Sequence, residues 1–269
     1  MAVDQAFAFR RQELLPLADR LREQFTTASP FPHVVIDDFL PPDLLDQVLA
    51  EFPRPEQIDW QEFDSSREVK LALADAEQMG PTTRHLLAEF NSMVFTDFLT
   101  ALTGIDRLIP DPQYSGGGLH QIQAGGFLKV HADFNKHPDF DLYRRLNAIL
   151  YLNKDWEEAY GGHLQIWDND MRACEKKVLP VFNRLLIFAT LDNAYHGHPD
   201  PLTCPPDRAR RSMALYYYTV EKPAGAEADH TTVFKARPGE EFSSTTRQAL
   251  KRWVPPAIAD AVRDRRRRS

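Results

Sequence analysis

LNAILYL (146–152), GHLQIW (162–167), RLLIFAT (184–190) and MALYYYTV (213–220) are short apolar runs, and Gly, Pro, Asn and Asp cluster between them. Several strand-length runs separated by turn residues are the pattern of an all-β sandwich or barrel, so a β core is expected over 113–222. Upstream the period changes. Leu14, Leu17, Leu21 and Phe25 recur at three and four residues among charged neighbours, which predicts a helix that begins or bends near Pro16 and stops before TTASPFP (26–32). HVVIDDFL (33–40) reads as a strand, PPDLLDQVLAEF (41–52) as a helix with prolines in its first turn, and 80–102 as amphipathic helix. The expected fold class is therefore mainly β with flanking helices: a mainly helical region over 1–112, the β core, and an extension over 223–269. In that extension SSTTRQALKRWVPPAIADAV (243–262) suggests short helices broken at Pro255 and Pro256, and RDRRRRS (263–269) reads as a disordered basic end.

Bulk composition narrows the function classes. At 269 residues, with 43% hydrophobic and 26% charged residues, the chain can bury one sizeable core. A net charge of -7 disfavours general attraction to nucleic acid or to anionic membranes. Two cysteines, Cys174 and Cys204, lack the paired spacing of a zinc site and are too few for a disulfide scaffold, so a reducing, cytoplasmic setting is expected. MAVDQAFAFRRQELL (1–15) has no basic start followed by an apolar run, and no stretch of about 18 apolar residues occurs, which predicts neither secretion nor membrane spanning. YSGGGLHQI (114–122) has glycines but no Lys-Ser/Thr after them and leads into a strand, so it is not read as a phosphate loop.

The chemistry concentrates in the β core. In FLKVHADFN (127–135), His131 and Asp133 stand two apart, and on an extended chain they project from one face. A His-x-Asp pair alone is cheap in a chain with nine histidines. It gains weight from LLIFATLDNAYHGHP (185–199), where His196 or His198 ends a second strand-like run; alternation points both the same way and leaves the choice open. Two imidazoles and a carboxylate occupy one face of an octahedral ion and leave positions for a chelating co-substrate and oxygen. RRSMALYYYT (210–219) then opens a strand with Arg210 and Arg211, which alternation places on opposite faces; one of them can grip a carboxylate with a bidentate fork. In YGGHLQIW (160–167) the glycines suit a turn into a strand, with Leu164 and Ile166 on one side and His163, Gln165 and Trp167 on the other.

Taken together, HADFN, LNAILYLNKDW, YGGHLQIW, LPVFNRLLIFAT, YHGHPDPL and RRSMALYYYT resemble the catalytic barrel of the prolyl-4-hydroxylase-type superfamily of Fe(II)/2-oxoglutarate-dependent dioxygenases. The resemblance implies a double-stranded β-helix (jelly-roll, cupin-like) barrel and an enzyme using Fe(II), 2-oxoglutarate and O2, and it admits ascorbate as an auxiliary. It implies His131, Asp133 and His196 as the catalytic metal ligands, although His198 stands where the family commonly has an apolar residue. It selects Arg210 as the anchor of the co-substrate carboxylate, with Tyr151 beside it. A retained aspartate favours hydroxylation, since related halogenases replace it with a small residue. The implied reaction is hydroxylation of an unactivated C-H of an amino acid, peptide or small metabolite with release of succinate and CO2; a cupin-like metal-binding or sensor protein is the alternative. The helical N-terminal region and 134–145 are expected at the substrate entrance, with Arg144 and Arg145 as solvated charges or contacts to an anionic substrate.

Overall fold

The computed structural model describes residues 7–223, 225–226 and 228–242; the expected C-terminal helices and basic tail lie outside these. Four helices come early: α1 (Arg11–Thr26), α2 (Pro42–Glu51), α3 (Pro81–Phe90) and α4 (Met93–Thr103). Leu14, Ala18 and Phe25 of α1 are buried, which is the apolar stripe the sequence predicts; Pro16 lies inside the helix instead of starting it. The stretch 80–102 divides into two helices at Asn91. Glu51 closes the start of α3 by accepting from the Thr82 and Thr83 amides at 3.1 and 3.0 Å, and Ser92 accepts from the Phe95 amide at the start of α4. Gly104, at φ +75°, supplies the left-handed residue that ends α4.

The strands are β1 (His33–Ile36), β2 (Gln61–Asp64), β3 (Glu68–Leu73), β4 (Ile109–Pro110), β5 (Gly118–Gln123), β6 (Phe127–Ala132) and β7 (Tyr143–Tyr151). They continue with β8 (Leu164–Trp167), β9 (Cys174–Val178), β10 (Arg184–Ala189), β11 (His196–His198), β12 (Ala209–Thr219) and β13 (Val233–Phe234). All pairings among the described residues are antiparallel, in the order β1-β10-β7-β12-β5-β3-β6-β11-β8-β9, with β2 on β3, β4 on β12 and β13 on β6. The predicted β core is thus present. The regions flanking it are less separate than the sequence suggests: β3, from the mainly helical region, sits between β5 and β6, and β13, from the C-terminal extension, pairs with β6.

Strand alternation divides the barrel wall into two faces. Leu146, Ala148 and Leu150 of β7, Leu185 and Ile187 of β10, and Met213, Leu215 and Tyr217 of β12 face the helices and join Leu86, Phe90, Phe95 and Phe98 in the main core. The residues between them, Asn147, Ile149, Arg210, Ser212, Ala214 and Tyr216, line a cavity of about 230 Å³ on the other face. A helical layer therefore makes this wall rigid while its inner face stays available for polar side chains. No helix among the described residues is long and apolar enough to cross a membrane.

Candidate active site

His131 lies near the end of β6 and Asp133 follows that strand directly, while His196 opens β11; the β6–β11 register sets His196 opposite His131. The three offer ligand atoms that all lie within 4.8 Å of one another. Each imidazole is oriented by its own strand: His131 Nδ1 stands 2.8 Å from the Lys129 carbonyl oxygen and His196 Nδ1 2.9 Å from that of Ala194. A carbonyl only accepts, so both Nδ1 atoms carry the hydrogen and both Nε2 lone pairs are left for a cation. Those Nε2 atoms each lie 3.5 Å from an oxygen of Asp133.

The carboxylate is prepared as carefully. Burial acts to raise the Asp133 pKa, but the Arg144 guanidinium, with His196 and His131, outweighs it and holds the group well below the usual carboxylate range. Arg144 Nη2 is 3.3 Å from Asp133 Oδ2, and the Asn147 amide donates to the same oxygen at 2.7 Å. Burial, opposed by Asp133, pushes His196 down to about 4, so its ring is neutral at pH 7. A buried anionic oxygen set beside two imidazole lone pairs fits a divalent cation with nitrogen and oxygen preference.

The same cavity also receives a donor, Arg210. Arg210 projects from the inner face of β12; its Nε donates to the Gly162 carbonyl at 2.8 Å, and Nη2 lies 3.3 Å from the Tyr151 hydroxyl. The guanidinium is stacked over the Tyr151 ring, 4.9 Å from its centroid. Gly162 has φ +73°, and a Cβ there would lie 2.7 Å from Leu202 Cδ2 and 3.0 Å from Arg210 Cδ, so a side chain at this position would be strained and would crowd the arginine. Arg211 points to the opposite face, donates to Gln121 Oε1 at 3.1 Å and covers the Phe52 ring.

Two expectations are corrected here. Arg144 is not solvated: it is fully buried, donates to Asn147 Oδ1 through Nε and Nη2, and lies over the Tyr216 ring, because the Asp133 charge draws it inward. From the N-terminal region, Gln61, Phe63, Glu68 and Lys70 of β2 and β3 line the cavity, whereas the helices pack behind the sheet. Arg145 bonds Thr219. On β8, Leu164 lines the cavity; on the other face Gln165 and Trp167 bond to Asp200 and to each other, and His163 pairs with Glu158. Asn147 and His120 were not singled out from sequence, since one polar residue in an apolar strand carries no periodic signal.

Comparison with known proteins agrees with this architecture. Residues 117–218 match the model described as 2OG-Fe(II) oxygenase superfamily. Among solved structures, a prolyl-4-hydroxylase from Pseudomonas putida superposes with a TM-score of 0.54 at 20% identity, over 76% of this chain and 99% of that one. A prolyl hydroxylase from Trichoplax adhaerens, solved with a hypoxia inducible factor peptide, gives 0.53 at 18% identity over 77% and 91%. HygX from Streptomyces hygroscopicus, solved with nickel, 2-oxoglutarate and hygromycin B, gives 0.51 at 12% identity over 80% and 97%. At such identities the likeness establishes a shared double-stranded β-helix fold, and the stretch that matches the 2OG-Fe(II) oxygenase superfamily model is the strand-rich part of the chain that carries His131, Asp133, His196 and Arg210.

Proposed function

We propose that the protein is a 2-oxoglutarate-dependent hydroxylase in which His131, Asp133 and His196 hold Fe(II) and Arg210, with Tyr151, binds the far carboxylate of 2-oxoglutarate. One observation carries this reading: a single cavity is lined both by a buried acceptor triad and by a buried, oriented guanidinium. Fe(II) bound at the triad, together with 2-oxoglutarate and O2, supplies oxidation of a substrate C-H to C-OH coupled to conversion of the co-substrate to succinate and CO2.

The chain's own residues contribute orientation and exclusion of water. His131 and His196 are held in one tautomer by backbone carbonyls, and Arg144 and Asn147 keep Asp133 ionised and fixed. Arg210 approaches the cavity already aligned by Gly162 and Tyr151, so little rotamer freedom remains to be lost when a carboxylate binds. Phe63, Phe134, Tyr216 and Phe234 give the remaining lining an aromatic character. A cavity of about 230 Å³ that must also admit the co-substrate suits a small molecule, a free amino acid or one side chain of a peptide. The test is turnover with Fe(II) and 2-oxoglutarate across amino acids, peptides and small metabolites, following succinate and the gain of one oxygen atom in the product. Succinate formation coupled to that mass gain supports the hydroxylase reading. Tight metal binding with no succinate from any member would replace it with the metal-binding or sensor alternative.

A further inference from the structure

His198 lies two residues beyond the ligand His196 on the same short strand, is 3% exposed, and lines the cavity with Arg210, Ser212 and Lys70. Both of its ring nitrogens are buried without a hydrogen-bond partner. Such a group is costly to leave unsatisfied when buried, and so calls for an occupant. A neutral imidazole always presents one N-H donor and one acceptor.

His120 offers a contrast that narrows the assignment. It is on β5, opposite Ser212 in the β5–β12 register, and lines the same cavity. Its Nε2 is buried without a partner too, but of the two rings His198 alone has both nitrogens so placed, so in either tautomer it keeps an N-H for the cavity. Its charged neighbours at this end are Arg210 and Lys70, and Lys70 is paired at 3.0 Å with Glu68. The end of the cavity is therefore short of anionic acceptors, and an incoming carboxylate would meet a free imidazole N-H beside the guanidinium.

Resting on the proposed function, we infer that His198 is a co-substrate-binding residue, donating a hydrogen bond to the distal carboxylate of 2-oxoglutarate alongside Arg210. This contact also accounts for the His-Gly-His sequence: the first ring takes the metal and the second takes the co-substrate.

The test uses zinc-loaded full-length protein and calorimetric titration with two ligands, 2-oxoglutarate and 2-oxopentanoate, which keeps the keto-acid end and lacks the distal carboxylate. His198→Leu should weaken 2-oxoglutarate about tenfold, as expected for one hydrogen bond to a charged group, with zinc and 2-oxopentanoate affinities unchanged. His198→Asn, which retains an N-H donor, should return to within about threefold of the parent. Equal weakening of both ligands, full 2-oxoglutarate affinity in His198→Leu, or loss of zinc in that variant would each overturn the assignment, the last by making His198 the metal ligand. Failure of the parent protein to bind 2-oxoglutarate would instead refute the proposed function itself.

Discussion

The two ends of the cavity differ in which atoms they leave free. At the His131–Asp133–His196 end, backbone carbonyls take the imidazole hydrogens and acceptors remain; at the Arg210–Tyr151 end, a backbone carbonyl takes one guanidinium hydrogen and donors remain. The first suits a cation and the second an anion, so one molecule that chelates a metal and also carries a second carboxylate satisfies both. The device that orients the side chains is the same in each case, a carbonyl of the protein's own backbone.

The comparison breaks most visibly at the metal end. His131→Ala or Asp133→Ala should lower divalent-metal affinity by about a hundredfold or more and abolish succinate formation, measured by metal titration and turnover. Asp133→Ala should in addition cost about 3–5 kcal/mol of folding stability in denaturant titrations of the metal-free protein, because it leaves Arg144 buried beside no anion. A smaller loss, about 10–100-fold in metal affinity, is expected for Asn147→Leu, which removes the hydrogen bond to Asp133 and leaves all three ligands in place.

At the other end the consequences should be confined to the co-substrate. Arg210→Ala should raise the Kd for 2-oxoglutarate by about 10–100-fold with metal affinity intact, and Arg210→Lys should recover little, since an ammonium cannot reproduce the Nε bond to Gly162 together with a second donor toward the cavity. Gly162→Ala offers a graded version: it contacts neither ligand, yet strains a φ of +73° and crowds Arg210 Cδ. It should cost about 1–2 kcal/mol of stability and weaken 2-oxoglutarate severalfold.

Acid sharpens the contrast by acting on the cavity histidines. Burial lowers His120 to about 3 and His196 to about 4, so between pH 6.5 and 4 the unfolded chain binds protons that the folded one does not. Stability of the metal-free protein should therefore fall as the pH drops through that window. Asp133 does not oppose this: its pKa is lowered, so its contribution is lost only below the ordinary carboxylate range. Denaturant titrations at pH 7, 6, 5 and 4 check the trend; a flat profile would contradict it.

The sequence reveals this site unevenly, and the reasons are physical. Arg210 is distinguishable from Arg211 because strand alternation separates their faces, and the structure puts one in the cavity and the other against Phe52. His196 and His198 are indistinguishable by alternation; the β6–β11 register sets His196, not His198, opposite His131, which is why the proposed triad takes His196. β3 is a short run in a stretch read as mainly helical: Glu68 and Lys70 alternate with Val69, Leu71 and Leu73, and it is the polar side of that alternation that lines the cavity. Arg144 reads as a surface charge unless the anion that buries it is already placed, and that anion is eleven residues away in sequence.

If one cavity holds a metal and 2-oxoglutarate together, titrating 2-oxoglutarate into the anaerobic, Fe(II)-loaded protein changes its visible spectrum. A weak charge-transfer band that saturates with one equivalent, and is lost in both His131→Ala and Asp133→Ala, is the predicted result. Absence of the band in fully iron-loaded parent protein would contradict the account.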